Sequence, residues 1–235
     1  MKKPFIKFCG ITNADTASFV LNAGADAIGF IAYPKSPRFI SSKDVDSIIL
    51  NISQKNLNEN NIQNNHINNN TEILPSLCKC LKNKNLVAVF VNADIETIKQ
   101  YGNAGINTVQ LHGDESEDFA DLCQNLGFEV WKAIRVKNKS DIEQYKNFPA
   151  SKFLIDAFHL NLPGGTGKTV DRSLAAYAVK VLPAPVILAG GLNPSNIFDI
   201  FNEIKPWGLD VNSGVEFFPG KKNHQDIMRV LALWQ

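Results

Sequence analysis

The chain has 235 residues, 44% of them hydrophobic, and a formal net charge of +1. Nearly balanced acids and bases leave no electrostatic footprint for nucleic acid or an anionic membrane, so any anionic ligand must be held by local groups. The length suits one domain with a sizeable core and lies near the roughly 250 residues of an eight-stranded β/α barrel.

The N-terminal stretch is broken by Pro4 and Lys7 and has no long apolar run, so it reads as neither a signal peptide nor a membrane span. A cytoplasmic location is the expectation. Cysteines at 9, 78, 80 and 123 are too few and too unevenly spaced for a disulfide framework. Cys78 and Cys80 form C-x-C without a second pair at ligand spacing, so no metal is expected.

Short β-branched or apolar runs alternate with helical patterns, which predicts βα units around a parallel sheet. Strands are expected near 4–9, 26–32, 86–91, 107–111, 128–134, 152–156, 185–189 and 207–211. Helices are expected over 14–23, 95–104, 115–126, 172–181, 194–202 and 225–234. Gly24, Gly105 and Gly127 stand where helices must stop before strands, in the left-handed conformation glycine tolerates. The predicted fold is a single (β/α)8 TIM barrel spanning 1–235. Within its second β/α unit, residues 51–73 form a low-complexity insertion; half of Asn51 to Asn70 is asparagine, and the tract is expected to be solvated and flexible.

Candidate site residues follow from strand alternation and from the turns after the last two strands. On strand 1, Ile6 and Phe8 suit the helix-facing side, so Lys7 and Cys9 point into the barrel, with Cys9 at the carboxyl end where barrel chemistry is housed. A free cysteine is more often a buried small apolar residue than a reactive thiol; the end-of-strand address turns the reading toward chemistry. Asp156 ends the apolar strand Lys152-Phe-Leu-Ile-Asp, with a helix-capping carboxylate as the alternative. Asp210 alternates with Leu209 and Val211 on strand 8, which closure brings beside strand 1, so a Lys7–Asp210 ion pair is expected.

Gly190 and Gly191 follow strand 7, and Ser213 and Gly214 follow strand 8; amides freed by such turns make a seat for phosphate. The glycine-rich stretch after Asp156, with Gly165, Thr166 and Gly167, suits a lid or clamp. It is not a P-loop, because position 162 is leucine where G-x-x-x-x-G-K-[ST] needs glycine. Arg38, after strand 2, can grip a carboxylate through two parallel hydrogen bonds, or be an exposed arginine without a partner. His112 shares a face with Gln110 and either lines the pocket or is a satisfied neutral histidine.

Taken together, Lys7-Phe-Cys-Gly-Ile-Thr, Gly24-Ala-Asp-Ala-Ile-Gly-Phe, Tyr33-Pro-Lys-Ser-Pro-Arg, Val89-Phe-Val-Asn, Val109-Gln-Leu-His-Gly, Gly164-Gly-Thr-Gly-Lys-Thr, Ala189-Gly-Gly-Leu-Asn-Pro and Asp210-Val-Asn-Ser-Gly-Val-Glu resemble phosphoribosylanthranilate isomerase. The resemblance covers nearly the whole chain outside the Asn-rich tract. It implies a cofactor-independent Amadori rearrangement in tryptophan biosynthesis, converting N-(5-phosphoribosyl)anthranilate into 1-(2-carboxyphenylamino)-1-deoxyribulose 5-phosphate.

By the family pattern, Cys9 is the general base and Asp156 the general acid. The chemistry asks for such a pair: ring opening needs a proton on the furanose oxygen, and the C2′ proton must then be taken by a thiolate, which Lys7 or the iminium would favour. Amides around Gly190, Gly191, Ser213 and Gly214 would hold the phosphate under the 165–167 loop, and Arg38 would face the anthranilate carboxylate. Arg172 stands where the family commonly has an aromatic residue, and Asn212 where serine is usual. The implied partner is a small phosphorylated substrate, without nucleic acid or membrane, in a monomer or homodimer. The alternatives are a phosphosugar-binding barrel without catalysis and another phosphate-binding barrel isomerase. A histidine-pathway aldose isomerase would use two carboxylates, and indole-glycerol-phosphate synthase lysines, neither of which accounts for Cys9.

Overall fold

The computed structural model describes residues 3–63, 81, 83–156 and 172–234. Eight parallel strands close in chain order into one barrel: β1 (Phe5–Phe8), β2 (Ala27–Ile31), β3 (Asn85–Phe90), β4 (Thr108–Leu111), β5 (Glu129–Arg135), β6 (Lys152–Asp156), β7 (Val186–Ala189) and β8 (Gly208–Val211). Closure pairs β1 with β8 in the register Lys7 to Asp210. The helices are α1 (Ala14–Asn22), α2 (Ser42–Gln63), α3 (Ile95–Asn103), α4 (Glu117–Asn125), α5 (Ser140–Glu143), α6 (Arg172–Val181), α7 (Ile197–Ile204) and α8 (His224–Ala232).

Local chemistry sets the punctuation. Asn13, Asp94 and Ser116 accept the amides of Thr16, Thr97 and Phe119 at 2.8, 2.6 and 3.2 Å, capping α1, α3 and α4. Gly24, Gly105 and Gly127 take φ of 100°, 93° and 91° as the chain turns from α1, α3 and α4 into the next strand, as the sequence leads one to expect.

Two apolar layers result. Ile6, Phe8, Ile28, Phe30 and their counterparts face the helices, whereas Ala27, Val87, Trp131, Ala133, Leu154, Ile187 and Ala189 pack inside the barrel. The inner layer fills the floor, so chemistry is left to the carboxyl ends of the strands.

Three features differ from the sequence reading. Helix α2 runs on through Gln63, into the Asn-rich tract, at whose start Ile52 is 1% exposed and the Ser53 hydroxyl donates to the Ile49 carbonyl at 2.8 Å. Residues 64–80 lie outside the described residues. Helix α4 starts two residues later than expected because Ser116 caps it and Glu115 turns back to accept the amides of Asn92 and Gly113. An unanticipated hairpin of β9 (Glu216–Phe218) and β10 (Lys221–Lys222) follows a single 3-10 turn, Ser213–Val215. Among the described residues no helix is long and apolar enough to cross a membrane.

Candidate active site

Cys9, Arg38, Gln110, His112, Asp156, Gly190, Gly191, Asp210, Ser213 and Gly214 all line one cavity of about 350 Å³ at the carboxyl ends of the strands, with Asn212, Ile31, Val89, Leu154 and Leu192 among its walls. Every catalytic and binding candidate within the described residues is therefore gathered at one place. Gly165, Thr166 and Gly167 fall outside the described residues, as do Cys78 and Cys80.

Cys9 follows β1 immediately, 5% exposed, its amide donating to the Val211 carbonyl at 2.9 Å. Behind it on the inner face of the strand, the buried Lys7 ammonium donates to Asp210 Oδ2 at 2.8 Å, the expected ion pair. Burial alone would lower the Lys7 pKa, but Asp210 and the neighbouring thiol outweigh it and hold it above its ordinary value.

The state of the thiol is set chiefly by burial. Burial pushes the Cys9 pKa up, and the charges of Lys7 and Lys222 do not offset it. Lys7 is already paired with Asp210, whose carboxylate also disfavours a thiolate, so the unliganded site holds Cys9 as the thiol at neutral pH.

Asp156 ends β6 with its side chain 17% exposed, and His112 Nε2 stands 3.8 Å from its Oδ2. Burial pushes the His112 pKa down to about 4, with Asp156 pulling the other way, so the imidazole is neutral at pH 7. His112 is thus both a pocket residue and a neutral one.

Gly190 and Gly191 take φ of 97° and 62°, a turn that an L side chain would strain. The Gly191 carbonyl accepts the side-chain amides of Asn193 and Asn196 at 3.3 and 3.0 Å, which fixes the plane of the following peptide. Ser213 and Gly214 open the 3-10 turn, where N–H groups lack partners within the turn. A Cβ on Gly214 would collide with the Leu192 carbonyl, so this glycine lets the turns after β7 and β8 approach each other.

Arg38 is not a lone surface arginine. Its Nε donates to both oxygens of Glu216 at 3.0 Å and its Nη2 to Oε2 at 2.6 Å. Glu216, though it closes the motif that begins at Asp210, received no role from the sequence, and Lys222 went unremarked, because both lie far along the chain from Arg38 and carry no spacing signal. Gln110 was legible only as the residue sharing a face with His112; its Oε1 is buried without a hydrogen-bond partner among the described residues, as is Asp210 Oδ1. Arg172, one of the two departures from the family pattern, forms an ion pair with Glu203 that ties the start of α6 to α7. Among the described residues there is no cluster of three metal-ligating side chains.

A sequence profile of N-(5′-phosphoribosyl)anthranilate isomerase matches residues 52–232. The N-(5′-phosphoribosyl)anthranilate isomerase of a Sulfurihydrogenibium species is 37% identical over 230 residues, covering 97% of each chain. A crystal structure of phosphoribosyl anthranilate isomerase in complex with reduced 1-(o-carboxyphenylamino)-1-deoxyribulose 5-phosphate is similar with a TM-score of 0.73 and 32% identity, covering 97% of each chain. The structure of mutually generated monomers of dimeric phosphoribosylanthranilate isomerase from Thermotoga maritima matches with a TM-score of 0.69 and 33% identity over 97% of this chain and 96% of that one. By profile, by sequence and by fold, the chain belongs to the N-(5′-phosphoribosyl)anthranilate isomerase family.

Proposed function

We propose that this enzyme rearranges N-(5′-phosphoribosyl)anthranilate to 1-(2-carboxyphenylamino)-1-deoxyribulose 5-phosphate with Asp156 as general acid and Cys9 as general base. The observation that carries the assignment of roles is that a thiol from β1 and a carboxyl from β6 open into the same cavity, approaching it from separated strands. Asp156 gives its proton to the furanose ring oxygen, the C1′–O bond breaks, and the nitrogen lone pair forms an iminium. The Cys9 thiol, acidified by the iminium, gives its proton to water, and the thiolate then removes the C2′ proton; the C2′–H electron pair forms the enolamine, and loss of the 2′-hydroxyl proton with protonation at C1′ places the carbonyl at C2′.

The raised pKa of the Cys9 thiol fits this order of events. A thiolate is not waiting in the empty site; the cationic iminium, formed beside Cys9 only after ring opening, supplies the positive charge that favours it. The base is thereby armed by the first step.

The turns at Gly190, Gly191, Ser213 and Gly214 would seat the phosphate, with residues 165–167 as its cover. Arg38 would take the anthranilate carboxylate. Asp210 Oδ1 and Gln110 Oε1 are acceptors without donors among the described residues, and the sugar hydroxyls would supply them. The enzyme acts as a monomer or a homodimer, a dimeric relative supporting the second, and the cytoplasm is the setting a biosynthetic role favours.

The test is a turnover assay on freshly prepared N-(5′-phosphoribosyl)anthranilate, following the loss of its fluorescence. Turnover without an added cofactor is the expected result. Tight binding of the substrate with no conversion would overturn the proposal in favour of a phosphosugar-binding barrel.

A further inference from the structure

We infer that the β9–β10 hairpin sets the charge and the aim of Arg38: Glu216 and Lys222 are positioning residues that leave one edge of the guanidinium, and one unit of positive charge, for the substrate's aromatic carboxylate. The inference rests on the reading of Arg38 given above and goes further, to what makes Arg38 selective.

A guanidinium offers five N–H donors in a planar fork. Glu216 takes the side formed by Nε and Nη2, at 3.0 and 2.6 Å, which leaves both N–H groups of Nη1 and the second of Nη2 along the other edge. Arg38 lines the cavity and its side chain is 17% exposed, whereas Glu216 is 3% and Lys222 0% exposed. The ligand-facing member of the trio is thus the arginine.

Charge balance supplies the second half of the argument. Alone, Arg38 and Glu216 would cancel, and an incoming carboxylate would meet the field of Glu216 at short range. Lys222 Nζ donates to Glu216 Oε1 at 2.9 Å, and to the Asn212 carbonyl and Oδ1 at 3.0 and 2.9 Å. Two cations and one anion leave a net +1, and burial limits the screening of that charge.

The hairpin is itself fixed relative to the site. The Thr12 hydroxyl donates to the Gly220 carbonyl at 2.7 Å, and the Gly220 amide donates to Glu216 Oε1 at 3.2 Å. Next to Cys9, a Cβ on Gly10 would stand 2.6 Å from Asn212 Oδ1 and 2.8 Å from Arg38 Cδ. The loop after β1, Arg38 and the hairpin therefore pack as one unit.

The experiment compares binding of two ligands by calorimetry: reduced 1-(o-carboxyphenylamino)-1-deoxyribulose 5-phosphate and the same compound without its carboxylate. The parent protein should favour the carboxylate ligand by about tenfold or more. Lys222→Met should bring that ratio to within about threefold, and the double variant Glu216→Gln/Lys222→Met, which restores the net +1 and keeps an amide oxygen to accept from Arg38, should recover most of it. Equal affinities in the parent protein would overturn the reading of Arg38 itself. A parent preference that survives Lys222→Met, or one that the double variant fails to recover, would leave that reading intact and overturn the hairpin's role. Should Lys222→Met not fold, Glu216→Gln/Lys222→Met alone must still show the parent ratio.

Discussion

Lys7 and Asp210 meet at 2.8 Å across the seam that closes the barrel, with the ammonium wholly buried and the carboxylate 7% exposed. The pair is more than a fastener: burial pushes the Cys9 pKa up, and the Asp210 carboxylate offsets part of the lowering that the Lys7 charge would otherwise bring. Lys7→Met should lower stability by about 3–5 kcal/mol, since the Asp210 charge would be left buried without a partner. Lys7→Met/Asp210→Leu should recover much of that loss, and urea melts of both variants check it.

Cys9→Ala and Asp156→Asn should each lower kcat by about 10²–10⁴ while leaving KM within a few-fold, because each group acts in the transition state and neither anchors the ligand. Alkylation of Cys9 by iodoacetamide should rise with pH through a midpoint above that of free cysteine measured alongside, since burial raises the thiol pKa. Rapid alkylation at neutral pH would show a preformed thiolate and refute the substrate-armed base.

His112 links the site to acid stability. Its folded pKa is about 4 against 6.5 for the free group, so the unfolded chain takes the proton first as pH falls. Stability should therefore be lost from about pH 6.5 down to about pH 4, by roughly 3 kcal/mol in total from this group. His112→Gln should flatten that part of the profile in urea melts at pH 7 and pH 4.5. An unchanged slope would mean the imidazole is protonated in the folded enzyme.

Gln110 offers a case in which stability and binding move in opposite directions. Its Oε1 is buried with no donor among the described residues, so Gln110→Met should leave stability unchanged or raise it by about 1 kcal/mol. KM should rise, because a sugar hydroxyl loses its acceptor. A fall in stability together with an unchanged KM would assign Gln110 to the scaffold.

Much of this was legible in the chain. Period-two alternation put Lys7 and Cys9 inside the barrel and Ile6 and Phe8 outside, because a strand has only two faces and the apolar pair must meet the helices. Asp156 and Asp210 fell in place by the same rule, and Gly24, Gly105 and Gly127 marked helix ends because only glycine takes that conformation without cost. The Asn-rich composition hid the continuation of α2 into the tract, at whose start Ile52 and Ser53 are buried.

Sequence alone determined the barrel, the order of its strands and the identity of the thiol and carboxyl at its mouth, because those follow from local periodicity and from residue types that chemistry requires. Tertiary structure alone decided their electrostatic state: that Lys7 is spent on Asp210, that Arg38 is shared with Glu216 and Lys222, and that burial holds Cys9 protonated and His112 neutral. Charge interactions depend on distance through space and on exclusion of water, and neither can be read from separation along a chain.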